Sequence, residues 1–192
     1  MTAVPASMRL PADDATLVRD LAGGDLEALG DLFERFEPSI RRYLFRVGVT
    51  EGDVDDLVQA TFLELVRAAP RFDPSYPVRT WIFGITTIMV RRHRRSVSRA
   101  AARLVTWAGL VRAEAAPSPD DVFDGDEALR RFTSSFQRLS RKKREVFALV
   151  TIEGLSGEEA ARALGIPVNT VWTRLHHARA DLRAALLGER ER

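Results

Sequence analysis

Asn169, Trp172, Thr173, His176 and His177 recur three and four positions apart in a stretch free of proline and glycine, the interval that sets side chains on one side of a helix. Together they offer amide, hydroxyl, imidazole and indole groups, the donors, acceptors and flat rings that read base edges in a DNA major groove. The opposite side of the same stretch carries Val171, Leu175, Ala178 and Leu182, an apolar stripe for packing. Covalent chemistry has no comparable foothold. The chain lacks cysteine, His176 and His177 are neighbours and so diverge around a helix, and neither a phosphate loop nor a nucleophile elbow is present. The expectation is a binding protein with no cofactor and no metal, and not an enzyme.

The reading helix needs something to hold it. Ser156 followed by Glu159 forms a capping box, Gly165 stops the short helix it opens, and Pro167 can begin the next one without forfeiting a hydrogen bond. Two helices joined by a tight glycine turn make a helix-turn-helix. Ser140-Arg-Lys-Lys-Arg144, Arg174, Arg179 and Arg183 flank it as candidate phosphate contacts.

Helical periodicity extends through most of the chain, and alternating strand patterns are scarce, so the fold class is all-α. The spacing predicts helices over Ala15–Leu21, from Asp25 as N-cap to Gly48 with a kink or restart at Pro38, and from Asp53 as N-cap to about Ala69. Residues 70–77, with three prolines, are a loop, and a fourth helix starts near Thr80 and ends among arginines. Further helices are expected over 127–139, 140–153, 156–164 and 167–187. Residues 113–126 are small, acidic and proline-bearing, the composition of a flexible linker between two small helical domains. This gives a tail to residue 14, domains over 15–112 and 127–187, and a C-terminal tail over 188–192.

The formal net charge of +2 hides sorted blocks: −5 over residues 1–90, +7 over 91–112, −6 over 113–127 and +6 over 128–192. The first basic block, Arg91-Arg-His-Arg-Arg95 with Arg99 and Arg103, continues a helix carrying Trp81, Phe83, Thr86 and Thr87, a combination suited to an unpaired strand. At 45% hydrophobic and 29% charged, the chain can bury a core. Its longest apolar run, Trp81 to Val90, is about half the ~20 residues of a membrane helix, and no signal peptide precedes it. A cytoplasmic protein with no membrane insertion is expected.

The third helix is harder to reconcile with DNA. Val54, Leu57, Val58, Thr61 and Leu65 form its inward stripe, while Asp56, Gln59, Leu63 and Val66 make a second face mixing apolar and acidic groups. Phosphate would repel Asp55 and Asp56, so this face suits a protein partner.

Asp55-Asp-Leu-Val-Gln-Ala-Thr-Phe-Leu63, Thr80-Trp-Ile-Phe-Gly-Ile85 and the run Gly154 to Arg179 resemble the extracytoplasmic-function sigma factors of bacterial RNA polymerase over about residues 15 to 187. The resemblance implies a region 2 domain for polymerase docking and minus-ten recognition and melting, and a region 4 domain for the minus-thirty-five element. It puts the polymerase contact on Asp56, Gln59, Phe62 and Val66. Minus-ten contacts fall on Phe72, Ser75, Tyr76, Val78, Arg79 and Trp81, with Arg91, Arg92 and Arg95 beyond them. Minus-thirty-five contacts fall on Asn169, Thr170, Trp172, Thr173, Arg174, His176 and His177. The implied partners are core RNA polymerase, through its beta-prime clamp helices and beta flap, promoter DNA as duplex and as melted non-template strand, and an anti-sigma factor. It also implies that the linker threads polymerase channels, where the acidic block could act as a nucleic-acid mimic. Ala60, Ile88 and Trp172 depart from the family pattern. The alternative is a polymerase-independent helix-turn-helix repressor or activator, which would bind duplex tightly by itself and ignore polymerase.

Overall fold

A computed structural model describes residues 13–108 and 127–188, and all regular structure among them is helical. Helix α1 (Asp14–Ala22) starts where the Asp13 carboxylate accepts the Thr16 N–H at 2.7 Å, which also holds that carboxyl below the usual carboxylate range. Asp25 caps α2 (Leu26–Arg46) in the same way, accepting from the Glu27 N–H at 2.9 Å. No restart occurs at Pro38, which lies inside α2. Buried Phe36, Ile40, Tyr43 and Leu44 anchor the helix on both sides of it and offset the one hydrogen bond a proline removes.

Gly48, at φ +84, reverses the chain as expected, and Thr50 rather than Asp53 is the N-cap of α3 (Glu51–Ala68). Thr50 has the extended backbone a cap requires, whereas Asp53 is already helical, its N–H bonded to the Thr50 carbonyl at 2.9 Å. In that first turn its carboxylate faces the positive end of the helix dipole. A single 3-10 turn (Ala69–Arg71) leads into the loop over 72–77, and α4 (Val78–Ala108) follows. The Tyr43 hydroxyl and the Thr87 hydroxyl share a hydrogen bond of 3.0 Å in the centre of this set, and the Tyr43 ring meets Phe83 edge-on at 5.4 Å. Burial pushes the Tyr43 phenol up, so it stays neutral.

The C-terminal set is α5 (Glu127–Arg138), α6 (Arg141–Phe147), α7 (Gly157–Leu164) and α8 (Val168–Gly188). Where one helix was expected over 140–153, α6 gives way to a π turn (Ala148–Ile152). Its carbonyls bond further along the chain, Ala148 O to the Glu153 N–H at 2.8 Å and Leu149 O to the Leu155 N–H at 3.0 Å, and Gly154 turns out at φ +71. Phe132, Phe136 and Phe147 pack as a ring cluster beside it.

The two sets touch. Helix α4 lies against α7 at Gly84, where a Cβ would stand 3.6 Å from the Ala163 Cα, so a residue usually unfavourable inside a helix lets two backbones approach closely. Residues 109–126, which include the whole of the expected linker and all of its acidic block but Glu127, lie outside the described residues, as do residues 1–12 and 189–192.

Candidate nucleic-acid interface

The reading helix α8 is built as its periodicity requires. Val171, Leu175, Ala178 and Leu182 are buried, and Asn169, Trp172, Thr173, His176 and His177 are exposed on the other side. The capping box at α7 is complete: Ser156 Oγ accepts the Glu159 N–H at 3.1 Å, and the Glu159 carboxylate accepts the Ser156 N–H at 2.7 Å. Gly165 takes the left-handed conformation at φ +64. The Trp172 ring crosses Gly157 so closely that a Cβ there would fall 2.2 Å from it, which fixes the indole while leaving it 47% exposed. Thr173 donates its hydroxyl to the Asn169 carbonyl at 2.9 Å and so presents its methyl group and oxygen lone pairs. Thr170 and Arg174 are half-buried, and Arg179 and Arg183 are exposed along the helix.

The basic cluster at the start of α6 is divided. Arg141 and Lys142 face solvent, Lys143 pairs with Asp181 at 2.5 Å, and Arg144 lies against Gly48 of the N-terminal set.

Around the loop over 72–77, Phe72 and Trp81 pack ring to ring at 4.8 Å, and Tyr76 is exposed. They line a cavity of about 510 Å³ together with Ile85 and Ile88, and its far wall is Arg162 to Gly165 of the helix-turn-helix. Ser75 donates its N–H to Asp73 at 2.9 Å, drawing that carboxyl below its ordinary value. Val78 is buried. Phe83, Thr86 and Thr87 are also buried, with Thr86 bonded to the Ile82 carbonyl and Thr87 to Tyr43, so the expected strand-steering hydroxyls belong to the core. Arg92 and Arg95 are exposed, whereas Arg79 and Arg91 are engaged by the C-terminal set.

On α3 the inward stripe is buried as expected, and Asp56, Gln59 and Leu63 are exposed with Val66 half-buried. Phe62 does not join that surface. It is buried at 5% exposure with its ring 4.8 Å from Phe33. Phe33 of α2 is 43% exposed and adds its apolar surface beside Leu63. Arg41 pairs with Asp55 at 2.7 Å, and both Asp55 and Asp56 are exposed.

Sequence reasoning passed over Glu145 and Glu153. Both are buried, and both accept arginines from the N-terminal helices. The signal was available in principle: each stands at an edge of the apolar run Val146–Ile152, where an acid is expensive to bury alone.

Among the described residues no group of histidine and acidic side chains is placed to hold a metal, and no helix is long and apolar enough to cross a membrane. The exposed reading helix on a capped helix-turn-helix defines a DNA-binding protein of that class. Residues 32–100 match Sigma-70 region 2, and residues 129–182 match Sigma-70, region 4. The RNA polymerase sigma factor CnrH of Cupriavidus metallidurans is 34% identical over 186 residues, covering 93% of this chain and 97% of that one. The ECF RNA polymerase sigma factor SigC of Mycobacterium tuberculosis is 32% identical over 186 residues, covering 92% and 95%. The chain belongs to the ECF sigma factors of RNA polymerase, which are transcription initiation factors. Among solved structures, CnrH in complex with the cytosolic domain of CnrY aligns with a TM-score of 0.65 at 31% identity, covering 91% of this chain and 97% of that one. The sigma factor RpoE in complex with the anti-sigma factor NepR from Bartonella quintana aligns with a TM-score of 0.61 at 25% identity, covering 81% and 96%.

Proposed function

We propose that this sigma factor acts in the cytoplasm by docking on core RNA polymerase through α3 and placing two DNA-reading surfaces on a promoter. Asp56, Gln59, Leu63 and Val66, extended by Phe33, form the docking face; Phe62 supports it from beneath. Asn169, Trp172, Thr173, His176 and His177 meet the minus-thirty-five duplex, with Arg174, Arg179 and Arg183 on phosphates. Phe72, Tyr76 and Trp81 stack on the melted minus-ten strand, with Arg79, Arg91, Arg92 and Arg95 along its backbone. Residues 15–112 and 127–187 serve as the two functional domains.

The observation that carries the reading is the coexistence of an exposed acidic-apolar face with an exposed base-reading helix. A DNA-binding regulator acting alone has use for the second and none for the first. An anti-sigma factor is the expected inhibitor, a reading supported by the partners of CnrH and RpoE in their structures. Core binding by Asp56→Arg with Gln59→Ala tests the docking face. The expected result is loss of the complex with duplex affinity of the free chain retained; an unchanged complex would remove α3 from the docking surface.

A further inference from the structure

Trp172 differs in kind from the rest of the reading face. Its exposed neighbours at the start of α8, Asn169 and Thr173, are small and polar, whereas the indole is large, apolar and 47% exposed. The ring is also held in place. Its Cζ2, Cε2 and Cη2 lie 2.2, 2.7 and 2.9 Å from where a Cβ on Gly157 would stand, so the six-membered ring rests on bare backbone at the start of α7. Backbone conformation does not call for glycine there: the glycines with positive φ are Gly24, Gly48, Gly154 and Gly165. At Gly157 the missing side chain supplies space alone, and Trp172 takes that space.

A ring fixed by its scaffold gives up little freedom on meeting a ligand, so its contacts are worth more than those of a swinging side chain. What it can meet in a major groove follows from the bases. Adenine, guanine and cytosine show hydrogen-bonding atoms there, and thymine alone adds a methyl group. The ring carbons of an indole offer nothing to the first three and an apolar contact to the last. The forked cation that reads guanine is missing from the exposed groups beside the ring: Arg174 is half-buried, and the next arginine, Arg179, lies about two turns beyond Trp172. Thr173, its hydroxyl donated back to the Asn169 carbonyl at 2.9 Å, adds a second methyl-bearing surface next to the indole in the chain.

We propose that Trp172, seated on Gly157, reads the 5-methyl group of one thymine in the duplex that α8 engages, and that Gly157 is the positioning residue for this contact. The inference rests on the assignment of α8 to duplex reading and does not require polymerase.

Uracil in place of thymine removes that methyl group and leaves every hydrogen-bonding atom of the base where it was. A duplex enriched from a random pool by the full chain is resynthesised with uracil at one thymine at a time, and the affinity of each is measured by titration. At one position the parental chain should bind the uracil duplex about fourfold more weakly, the worth of one buried methyl group. Trp172→Ala should bind the thymine duplex more weakly and no longer distinguish it from the uracil duplex. Gly157→Ala, which keeps the indole and unseats it, should lose the same distinction, and the double variant should match Trp172→Ala. A role in packing alone would weaken both duplexes equally and leave their ratio unchanged.

A ratio near one at every thymine in the parental chain, an enriched sequence without thymine, or a ratio that survives Trp172→Ala overturns the methyl contact; a ratio that survives Gly157→Ala overturns the seating. If Gly157→Ala folds poorly, Trp172→Ala, which removes a contact at an exposed site and adds none, decides the question. A pool from which nothing is enriched takes down the assignment of α8 to DNA and the contact with it, whereas enrichment with flat ratios takes down the contact alone. Thymine-dependent binding by a chain that gives core polymerase no new start sites would overturn the sigma reading and leave the contact standing.

Discussion

The two basic surfaces of this protein are similar in composition and opposite in availability. On α8 the arginines and base-reading groups face outward, and the apolar stripe beneath them is satisfied by α6 and α7. At the middle of α4 Arg91 and Arg94 are turned into ion pairs with buried Glu145 while Arg92 and Arg95 stay exposed, and the neighbouring aromatic cavity is walled by the helix-turn-helix. A positive block in a sequence therefore reports capacity for an anion, and only tertiary contacts tell whether that capacity is already filled from within the chain.

The contrast is sharpest when an arginine is removed from each surface. Arg94→Ala leaves Glu145 buried with its weaker partner, Arg91 at 3.6 Å, and should cost about 3 kcal/mol in denaturant unfolding, the low end for breaking a buried pair. Arg183→Ala on the exposed side of α8 should stay within about 0.5 kcal/mol. Equal losses would break the distinction between covered and open surfaces. The apolar floor of α8 sets a comparable scale, with Leu175→Ala, at 2% exposure, expected to cost about 2–5 kcal/mol.

Gly157→Ala drives a Cβ into the Trp172 ring and should cost about 1–3 kcal/mol. Trp172→Ala in the same chain should recover most of that loss if the clash is its cause. For the open surface itself, Arg179→Ala with Arg183→Ala should lower the slope of log K against log salt for duplex binding by about 2. The smallest effect is local: Ser156→Ala, which removes the cap of α7, should lower stability by about 1 kcal/mol.

These cases also mark what the sequence could disclose. The helix-turn-helix was legible almost residue by residue because its determinants, Ser156 with Glu159, Gly165 and Pro167, act within a few positions of one another. The buried stripes of α3 and α8 follow from periodicity alone. Asp53 was misplaced as a cap because Thr50 and Asp53 carry equivalent oxygens, and only the extended backbone at Thr50 separates them. That Phe62 is buried while Phe33 is exposed depends on how α2 and α3 rotate against each other, which no local pattern encodes. Thr86 and Thr87 look like strand-binding hydroxyls until Ile82 and Tyr43 supply their partners. Glu145 and Glu153 find their arginines more than fifty residues away, so their meaning is wholly tertiary.

Transcription by core RNA polymerase on genomic DNA, with and without this chain, is the measurement that bears most directly on its function as a sigma factor. The expected result is a new set of start sites sharing upstream minus-ten and minus-thirty-five elements and disappearing with Asp56→Arg and Gln59→Ala. Start sites identical to those of core polymerase alone would contradict it.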